Sequence, residues 1–275
     1  MMPPAVNFHI NRNCDARCRF CFATFRDVDG KLSQDAALHL IGLLRSAGLQ
    51  KLNFAGGEPT LHPGLGAMLA HARQLGLVTS IVTNGSRLAR LLDAQSRDLD
   101  WVGLSIDFAR EAVEVALGRS RGHHIKRTIQ LADHARSVGV RLKVNTVVTA
   151  LNWEEDLTPL MRALRPERWK VFQVLPMDGQ NDGKVAPLLI SGSQFRSFVD
   201  RHAHLEREGL PPVVEDNEAM RGSYAMIDPA GRFFGNATGR HVYSAPILNV
   251  GLTDALSQVG FAPSSFEARG GTYAW

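Results

Sequence analysis

Short apolar runs alternate with amphipathic segments along the first two thirds of this 275-residue chain. The runs are rich in Val, Ile, Leu and Phe, which predicts buried strands. Six runs fit: residues 6–10, 52–55, 79–82, 102–106, 142–147 and 170–174. Between them, segments such as 33–47 repeat apolar residues with a helical period, with Ser33 placed to cap the helix and Gly48 to end it.

Regular alternation of strand and helix predicts an α/β fold with a parallel sheet. Six units are too few for a closed eight-stranded barrel but enough for a partial (β/α)6 barrel, open on one side to admit a large ligand. We assign residues 1–176 to this barrel. Residues 177–275 hold one strong helix at 194–208 and then a turn-rich stretch, which predicts a C-terminal extension capping the same domain.

Composition narrows the class of protein. A hydrophobic content of 44% allows a full core. No apolar run reaches the length of about 18 residues that would span a bilayer, and the N-terminal sequence lacks the order of a signal peptide. We therefore expect a soluble cytoplasmic protein without membrane attachment. The basic residues behind the net charge of +4 are scattered rather than clustered, which argues against a nucleic-acid partner.

All three cysteines, Cys14, Cys18 and Cys21, lie within eight residues directly after the first predicted strand. They are too close together, and odd in number, for a disulfide framework, so they predict metal ligands. A [4Fe-4S] cluster held by three thiolates keeps one iron open for another ligand. The alternative is zinc, whose structural sites need four ligands, with His9 or His62 as the fourth.

Small polar residues follow three further strands. The second strand ends in Gly56, Gly57 and Glu58, where glycine lets the backbone approach a ligand closely. The segments 83–85 and 105–107 bring Asn84 and Ser105 to the ends of the third and fourth strands. Each alone is ordinary turn chemistry, but all fall at the sheet edge that carries the cysteines.

Strand parity predicts a polar lumen, because side chains at i and i+2 share a face. The pairs are Lys51 with Asn53, Lys143 with Asn145, Arg168 with Lys170, and Asn7 with His9. The inward face of a parallel barrel is normally branched and apolar. Buried cations need partners, so this lumen predicts a polyanionic ligand. Alternatively, Lys51 and Arg168 begin their strands in solvent, whereas Lys143 lies inside its run.

The cysteine spacing, with aromatics at Phe20 and Phe22, resembles the radical S-adenosylmethionine (SAM) superfamily. In that superfamily the open iron binds SAM, and an electron from the cluster cleaves it to a 5′-deoxyadenosyl radical. Five segments more specifically resemble the viperin family and its prokaryotic members. They are NFHINRNCDARCRFCF, KLNFAGGEP, RWKVFQVL, DNEAMRGSYAMID and FEARGGTYAW.

This resemblance implies a nucleotide dehydratase, a radical SAM lyase. The radical would take the ribose 4′ hydrogen of CTP, UTP or GTP, and the 3′ hydroxyl would leave as water. One electron and one proton would then complete a 3′-deoxy-3′,4′-didehydro nucleotide. Such products terminate viral RNA synthesis, which implies antiviral defence. The resemblance also implies an electron donor such as flavodoxin or ferredoxin, and we expect a monomer.

The resemblance also implies residue roles. Residues placed near SAM are Phe22, Thr24, Gly56, Gly57, Glu58, Asn84, Ser105 and Arg119. Residues placed on the nucleotide are Asn7, Lys51, Asn53, Lys143, Asn145, Arg168, Lys170 and Arg269. Because the family's RGGxYxW tail folds over the site, Tyr273 is the predicted catalytic residue of the late step. Its phenol would deliver a hydrogen atom or proton or position the ribose; alternatively, it is an aromatic plug that excludes water.

Two departures from vertebrate members leave the preferred base open: Ala23 replaces a histidine, and QVLPMDGQN replaces a more acidic stretch. Two alternative functions also remain. A radical SAM enzyme acting on a peptide or cofactor precursor often binds auxiliary clusters, yet no cysteine follows Cys21. A zinc-containing nucleic-acid module would need aromatics interleaved with a basic patch, and aromatic content is only 7%.

Overall fold

The computed structural model describes residues 2–275, within which ten strands form one mixed sheet. The strands are β1 (Ala5–His9), β2 (Lys51–Ala55), β3 (Val78–Thr83), β4 (Trp101–Ser105), β5 (Arg141–Val148), β6 (Arg168–Gln173), β7 (Pro212–Glu215), β8 (Met226–Ile227), β9 (Arg232–Gly235) and β10 (Val242–Pro246). The helices are α1 (Gln34–Ser46), α2 (Leu65–Gln74), α3 (Leu88–Gln95), α4 (Glu111–Ala116), α5 (His124–Ser137), α6 (Thr158–Leu164), α7 (Gly192–His202), α8 (Asn217–Met220), α9 (Ile247–Val250), α10 (Leu252–Ser257) and α11 (Pro263–Ala268). Short 3-10 helices lie at Pro59–Leu61, Ser96–Asp98, Ala186–Leu188 and Ala203–Glu208.

The strand order is β10-β9-β8-β1-β2-β3-β4-β5-β6-β7. Every neighbouring pair from β1 to β7 is parallel, as predicted for a partial barrel. Strand β8 also pairs parallel with β1, whereas β9 pairs antiparallel with both β8 and β10. The residues assigned to a cap therefore supply four of the ten strands.

Local sequence signals place the helix boundaries. The hydroxyl of Ser33 accepts a hydrogen bond from the amide of Ala36, which caps α1 as predicted. Gly48 follows that helix with a φ of +95°, a conformation that glycine adopts readily. The helix predicted at 194–208 is shorter: α7 begins at a capping box formed by Ser191 and Gln194, and its last turns continue as the 3-10 helix Ala203–Glu208.

Alternation along the strands separates an apolar layer from a polar lumen. On β2, Leu52 and Phe54 belong to the main hydrophobic cluster, which also contains Leu40 and Leu44 of α1. Lys51 and Asn53, which alternate with Leu52 and Phe54, line the cavity inside the barrel. This arrangement stacks helices outside the sheet and leaves its inner face for chemistry. Within residues 2–275, no helix combines the length and the apolar character needed to cross a membrane.

Candidate active site

The cysteine-bearing loop follows β1 and rests on the turn that ends β2. The backbone amides of Gly57 and Glu58 donate to the carbonyls of Asn11 at 2.8 Å and Asn13 at 2.7 Å. A Cβ atom added to Gly57 would lie only 2.3 Å from the Asn13 carbonyl oxygen. The glycine therefore serves a close backbone approach, here of the cysteine loop itself.

A second glycine turn holds the same loop from another side. Gly118, just after α4, has a φ of +79°, and a Cβ there would lie 2.2 Å from the carbonyl oxygen of Arg17. The Arg17 amide donates in return to the Gly118 carbonyl at 2.7 Å. Both the backbone conformation and the available space require glycine here, so the loop is fixed between β2 and α4.

The thiols of Cys14, Cys18 and Cys21 are free and half-buried. Burial raises the pKa of Cys14 to about 11, raises that of Cys18 to about 12, and also raises that of Cys21. Metal coordination reverses this effect, because a coordinating thiol loses its proton outright. Three thiolates on a fixed loop fit a [4Fe-4S] cluster with one open iron. Within residues 2–275, no three side chains of His, Cys, Asp or Glu are grouped as ligands of a single metal ion. Neither His9 nor His62 therefore belongs to such a group.

Glu58 braces the ends of β2 and β3 against the loop. Its side chain is 1% exposed, and its two oxygens accept from the Thr83 hydroxyl at 2.6 Å and the Asn84 amide at 2.8 Å. Asn84 donates to Asp15 at 2.8 Å, and its Nδ2 lies 3.9 Å from the Cys14 sulfur. Two residues predicted near SAM therefore meet at the cysteines, although the Glu58 carboxylate is fully engaged by the protein.

Arg119 lies beside the loop in a buried ion pair. Its Nε is 2.5 Å from Asp107 Oδ2 and 3.9 Å from Glu114 Oε2. Burial and the neighbouring Asp107 raise the pKa of Glu114 to about 8. Ser105 contributes its backbone carbonyl, which lies 2.9 Å from His124 Nε2. The structure thus brings Arg119 to the cysteine edge but engages Ser105 through its backbone.

The segment after Cys21 carries Phe22 and Thr24, two further residues predicted near SAM. The ring of Phe22 packs edge-on at 6.3 Å from His9, and the Thr24 hydroxyl donates to Gln180 at 2.7 Å. Thr24 also lines an open cavity beside the loop. That cavity is lined by Arg12, Asn13, Cys14, Asp15, Arg17, Thr24, Phe25, Arg26 and Leu61.

A second cavity lies in the lumen, and it gathers most of the residues predicted to contact the nucleotide. Its lining includes Asn7, Lys51, Asn53, Lys143, Arg168, Lys170, Arg269 and Tyr273. Asn145 is absent from the lining, although it lies on β5 two residues from Lys143 and its Oδ1 is buried without a hydrogen-bond partner. Strand parity therefore located the cavity, and the roles of its residues remain predictions.

The lumen cations crowd one another. Burial, with Arg141 and Arg168 nearby, lowers the pKa of Lys51 to about 7. Burial and the adjacent Lys51 and Lys170 lower the pKa of Lys143 well below its usual value. Burial also lowers the pKa of Lys170 to about 8, even though a carboxylate lies beside it. Such a cluster is electrostatically unsatisfied until an anion enters.

Two lumen residues escaped the sequence prediction. Glu215, at the end of β7, is fully buried and ion-paired with Lys170. The Tyr224 hydroxyl donates to Glu215 and lies 2.8 Å from Lys170 Nζ, while the Arg269 guanidinium covers the tyrosine ring at 3.6 Å. Tyr224 and Phe22 both pack against the buried cluster of Leu175, Met177 and Met220, so one apolar cluster joins the cysteine side to the cations. It belongs to the quoted segment DNEAMRGSYAMID, which was a usable signal.

Tyr273 lies at the opposite end of the lumen, where β2 and β6 begin. Its hydroxyl accepts from Lys51 Nζ at 2.5 Å, and the Arg168 guanidinium stacks 4.0 Å from its ring. The rings of Trp101 and Trp275 lie 5.0 Å and 5.2 Å from the same ammonium. Lys51 is only 3% exposed, so the alternative that it begins its strand in solvent is wrong. This setting favours the closing role of Tyr273 over delivery of a hydrogen atom.

Comparison with known proteins identifies the family. Residues 8–162 match the model of the radical SAM superfamily. A protein of Flammeovirga pacifica named S-adenosylmethionine-dependent nucleotide dehydratase is 43% identical over 282 residues, covering 99% of this chain and 96% of that protein. A protein of the same name from Lacinutrix mariniflava is 41% identical over 99% of this chain, which spans 59% of its length.

Solved structures support the fold. The structure of native anSMEcpe with bound AdoMet and Kp18Cys peptide superposes with a TM-score of 0.71 at 15% identity, covering 96% of this chain and 84% of that chain. A [4Fe-4S] cluster and SAM are the cofactors of this superfamily, and the cysteine loop fits such a cluster. The chain belongs to the radical SAM superfamily and, within it, to the family of S-adenosylmethionine-dependent nucleotide dehydratases.

Proposed function

We propose that this protein dehydrates a ribonucleoside triphosphate to its 3′-deoxy-3′,4′-didehydro analogue. The observation that carries the proposal is the charge of the lumen. Lys51, Lys143, Arg168, Lys170 and Arg269 line one cavity. Glu215 pairs with two of them, Lys170 and Arg269. Once a bound anion keeps all five side chains protonated, their excess of four positive charges matches a fully ionised triphosphate, and it suits a peptide substrate poorly.

The cluster and SAM, when bound, supply a radical that removes the ribose 4′ hydrogen atom. The lumen residues then have two tasks. The triphosphate is held by Lys51, Arg168 and their neighbours at the end of the cavity where Tyr273 lies. In this orientation the ribose faces the cysteine edge. Completion requires one electron and one proton, with the 3′ hydroxyl leaving as water and a double bond forming between C3′ and C4′.

Tyr224 is the best-placed donor for the late step. Tyr224 packs against the buried cluster of Leu175, Met177 and Met220, which Phe22 of the cysteine loop also contacts, and its hydroxyl accepts a hydrogen bond from Lys170. Burial and Glu215 raise its pKa well above the usual value, so the phenol keeps its proton at neutral pH. Its hydroxyl lies in the lumen, where the ammonium of Lys170 would stabilise the phenolate left after the proton passes to the departing hydroxyl. Tyr273, held by Lys51 and Arg168, closes the phosphate end.

The product would lack a 3′ hydroxyl, so a polymerase that incorporated it could not extend the RNA. We therefore assign the protein to antiviral defence. The exposed Arg12, Arg17 and Arg26 around the cavity beside Cys14 suit an acidic electron carrier such as flavodoxin or ferredoxin. We further propose that the enzyme is cytoplasmic and that it works as a monomer. Gel filtration of the reconstituted protein tests the monomeric state.

The test is an anaerobic assay of reconstituted protein with SAM, reductant and each of CTP, UTP, GTP and ATP, analysed by mass spectrometry. We expect 5′-deoxyadenosine together with a nucleotide lighter by one water, and the reactive triphosphate names the base. Formation of 5′-deoxyadenosine with all four nucleotides unaltered would reject a nucleotide substrate, while leaving the radical SAM chemistry intact.

A further inference from the structure

The segment 178–181 of the C-terminal extension lies against the cysteine loop. Asn181 is 2% exposed, and its Nδ2 donates to the carbonyl of Phe20, the residue just before Cys21, at 3.1 Å. The same Nδ2 donates to the Leu175 carbonyl at 3.0 Å, and Oδ1 accepts the Met177 amide at 2.8 Å. This buried amide therefore connects the chain after β6 to the N-terminal side of Cys21.

Gln180 forms hydrogen bonds to the loop on the C-terminal side of Cys21. It is 1% exposed, and its Oε1 accepts from the Thr24 hydroxyl at 2.7 Å and the Phe25 amide at 2.8 Å. Its Nε2 donates to Asp27 Oδ1 at 2.7 Å, and its backbone carbonyl accepts from Arg26. One side chain thus engages three of the six residues that follow Cys21.

The loop needs such a restraint, because Phe25 is buried with a φ of +50°. A left-handed backbone conformation is unfavourable for any residue with a Cβ. It persists only when its surroundings determine it. The hydrogen bond from the Phe25 amide to Gln180 fixes this peptide directly, so the path of the chain after Cys21 depends on the extension.

We propose that Gln180 and Asn181 are positioning residues of the cluster loop. They hold the backbone on both sides of Cys21 and so set the place of its thiolate relative to Cys14 and Cys18. The proposal concerns the loop and its cluster, and it is independent of which nucleotide is the substrate. The stretch QVLPMDGQN, which departs from vertebrate members, thereby acquires a role in cofactor binding rather than in recognition of the base.

The orientation of the Gln180 side-chain amide can be tested. Its carbonyl oxygen must face Thr24 and Phe25, which donate to it, while its NH2 group must face Asp27, which accepts from it. In Q180E the second carboxylate oxygen would stand where the NH2 group donates to Asp27, so two acceptors would oppose each other. In Q180E/D27N the donor and acceptor are exchanged between the two positions, and the hydrogen bond can form again.

The experiment compares wild type, Q180A, Q180E, Q180E/D27N and D27N. The readouts are hydrogen exchange of residues 20–28 in the cluster-free protein and iron content after anaerobic reconstitution. The control is T146V, because Thr146 is buried and bonded to Trp169 and Ile106, away from the cysteine loop. We expect exchange about tenfold faster in Q180A and Q180E, with iron content reduced to less than about half, and recovery of both in Q180E/D27N.

Exchange and iron content within about twofold of wild type in Q180A would overturn the proposal. Equal losses in T146V would also overturn it, because they would show a general effect of lower stability. If Q180A fails to fold, the comparison of Q180E with Q180E/D27N decides alone: failure of the double variant to regain protection rejects the positioning role.

Discussion

Tyr224 and Tyr273 stand at different points of one cavity, and their neighbours give them different tasks. Replacing Tyr224 with Phe removes the hydroxyl that bonds to Glu215 and Lys170 but keeps the ring. We expect nucleotide product to form about 10²-fold more slowly while 5′-deoxyadenosine continues to accumulate. Mass spectrometry of both products measures the ratio.

The control for that prediction is Tyr273→Phe, which removes the hydroxyl bonded to Lys51. With the proposed role of Tyr273 at the phosphate end, we expect a higher KM for the nucleotide with kcat close to wild type. The opposite pattern, in which Tyr273→Phe stops product formation and Tyr224→Phe does not, would return the late step to Tyr273.

Lys51 makes nucleotide binding dependent on pH. Burial and the nearby Arg141 and Arg168 lower its pKa to about 7 in the free protein, and a bound phosphate favours the charged form and raises the pKa again. Binding therefore takes up a proton, and affinity should fall as pH rises above about 7, by up to about tenfold per unit. Fluorescence of Trp101 and Trp275, which lie beside Lys51, reports binding without the cluster.

The matched variant is Lys51→Arg, which keeps its charge over this range. It should bind nucleotide with a flatter pH profile, and calorimetry in different buffers should show that binding takes up fewer protons than in wild type. A wild-type affinity that stays constant between pH 7 and about pH 9 would contradict the role of Lys51 in phosphate binding.

At the scale of elements, the turn after β2 determines whether the cysteine loop can close. Gly57→Ala places a Cβ 2.3 Å from the Asn13 carbonyl oxygen, so the loop must shift. We expect the free energy of unfolding to fall by about 1–3 kcal/mol. Iron content after reconstitution should also fall, and further than in the control. Gly42→Ala is the control, because a Cβ there meets nothing within 4 Å and alanine favours the helix. Full iron content in Gly57→Ala would refute this account of the loop.

The elements that the sequence predicted are those with enough length to show a period. Strands β1 to β6 carry five to eight residues each and were all located within two residues. Strands β7, β8 and β9 were missed because they have only four, two and four residues. Strand β10 has five residues, but its sequence VYSAP holds only two large apolar side chains and ends in proline. Tertiary pairing, rather than local pattern, makes these residues extended.

At the scale of the whole molecule, the site was predictable where it depends on parity and hidden where it depends on long-range packing. The period of two on β2, β5 and β6 placed Lys51, Lys143 and Lys170 in one lumen. Nothing local connects Glu215 or Tyr224 to Lys170, because the sheet brings them together across 45 and 54 residues of sequence. For the same reason, the hydrogen bonds between Gln180 and the cysteine loop could be identified only in the folded chain.

The lumen cations also imply that the free protein gives up stability for binding. Lys143 is 8% exposed, and burial together with Lys51 and Lys170 lowers its pKa well below the usual value. Lys143→Met keeps the shape and removes a buried amine whose charged form is disfavoured by burial and by the neighbouring lysines, so we expect the nucleotide-free protein to gain about 1–3 kcal/mol. Thermal denaturation should show a higher Tm without ligand and little or no further rise with nucleoside triphosphate, whereas wild type should rise steeply.

Lys126→Met, on the exposed face of α5, is the matched control and should leave both values close to wild type. The two effects must occur together in Lys143→Met, because a substitution that merely improved packing would raise the Tm and leave the nucleotide-induced shift intact. A Lys143→Met protein that is less stable than wild type, or that still gains the full shift, would show that the lumen charge is balanced within the protein. In that case, the excess of cations would no longer identify a triphosphate as the ligand.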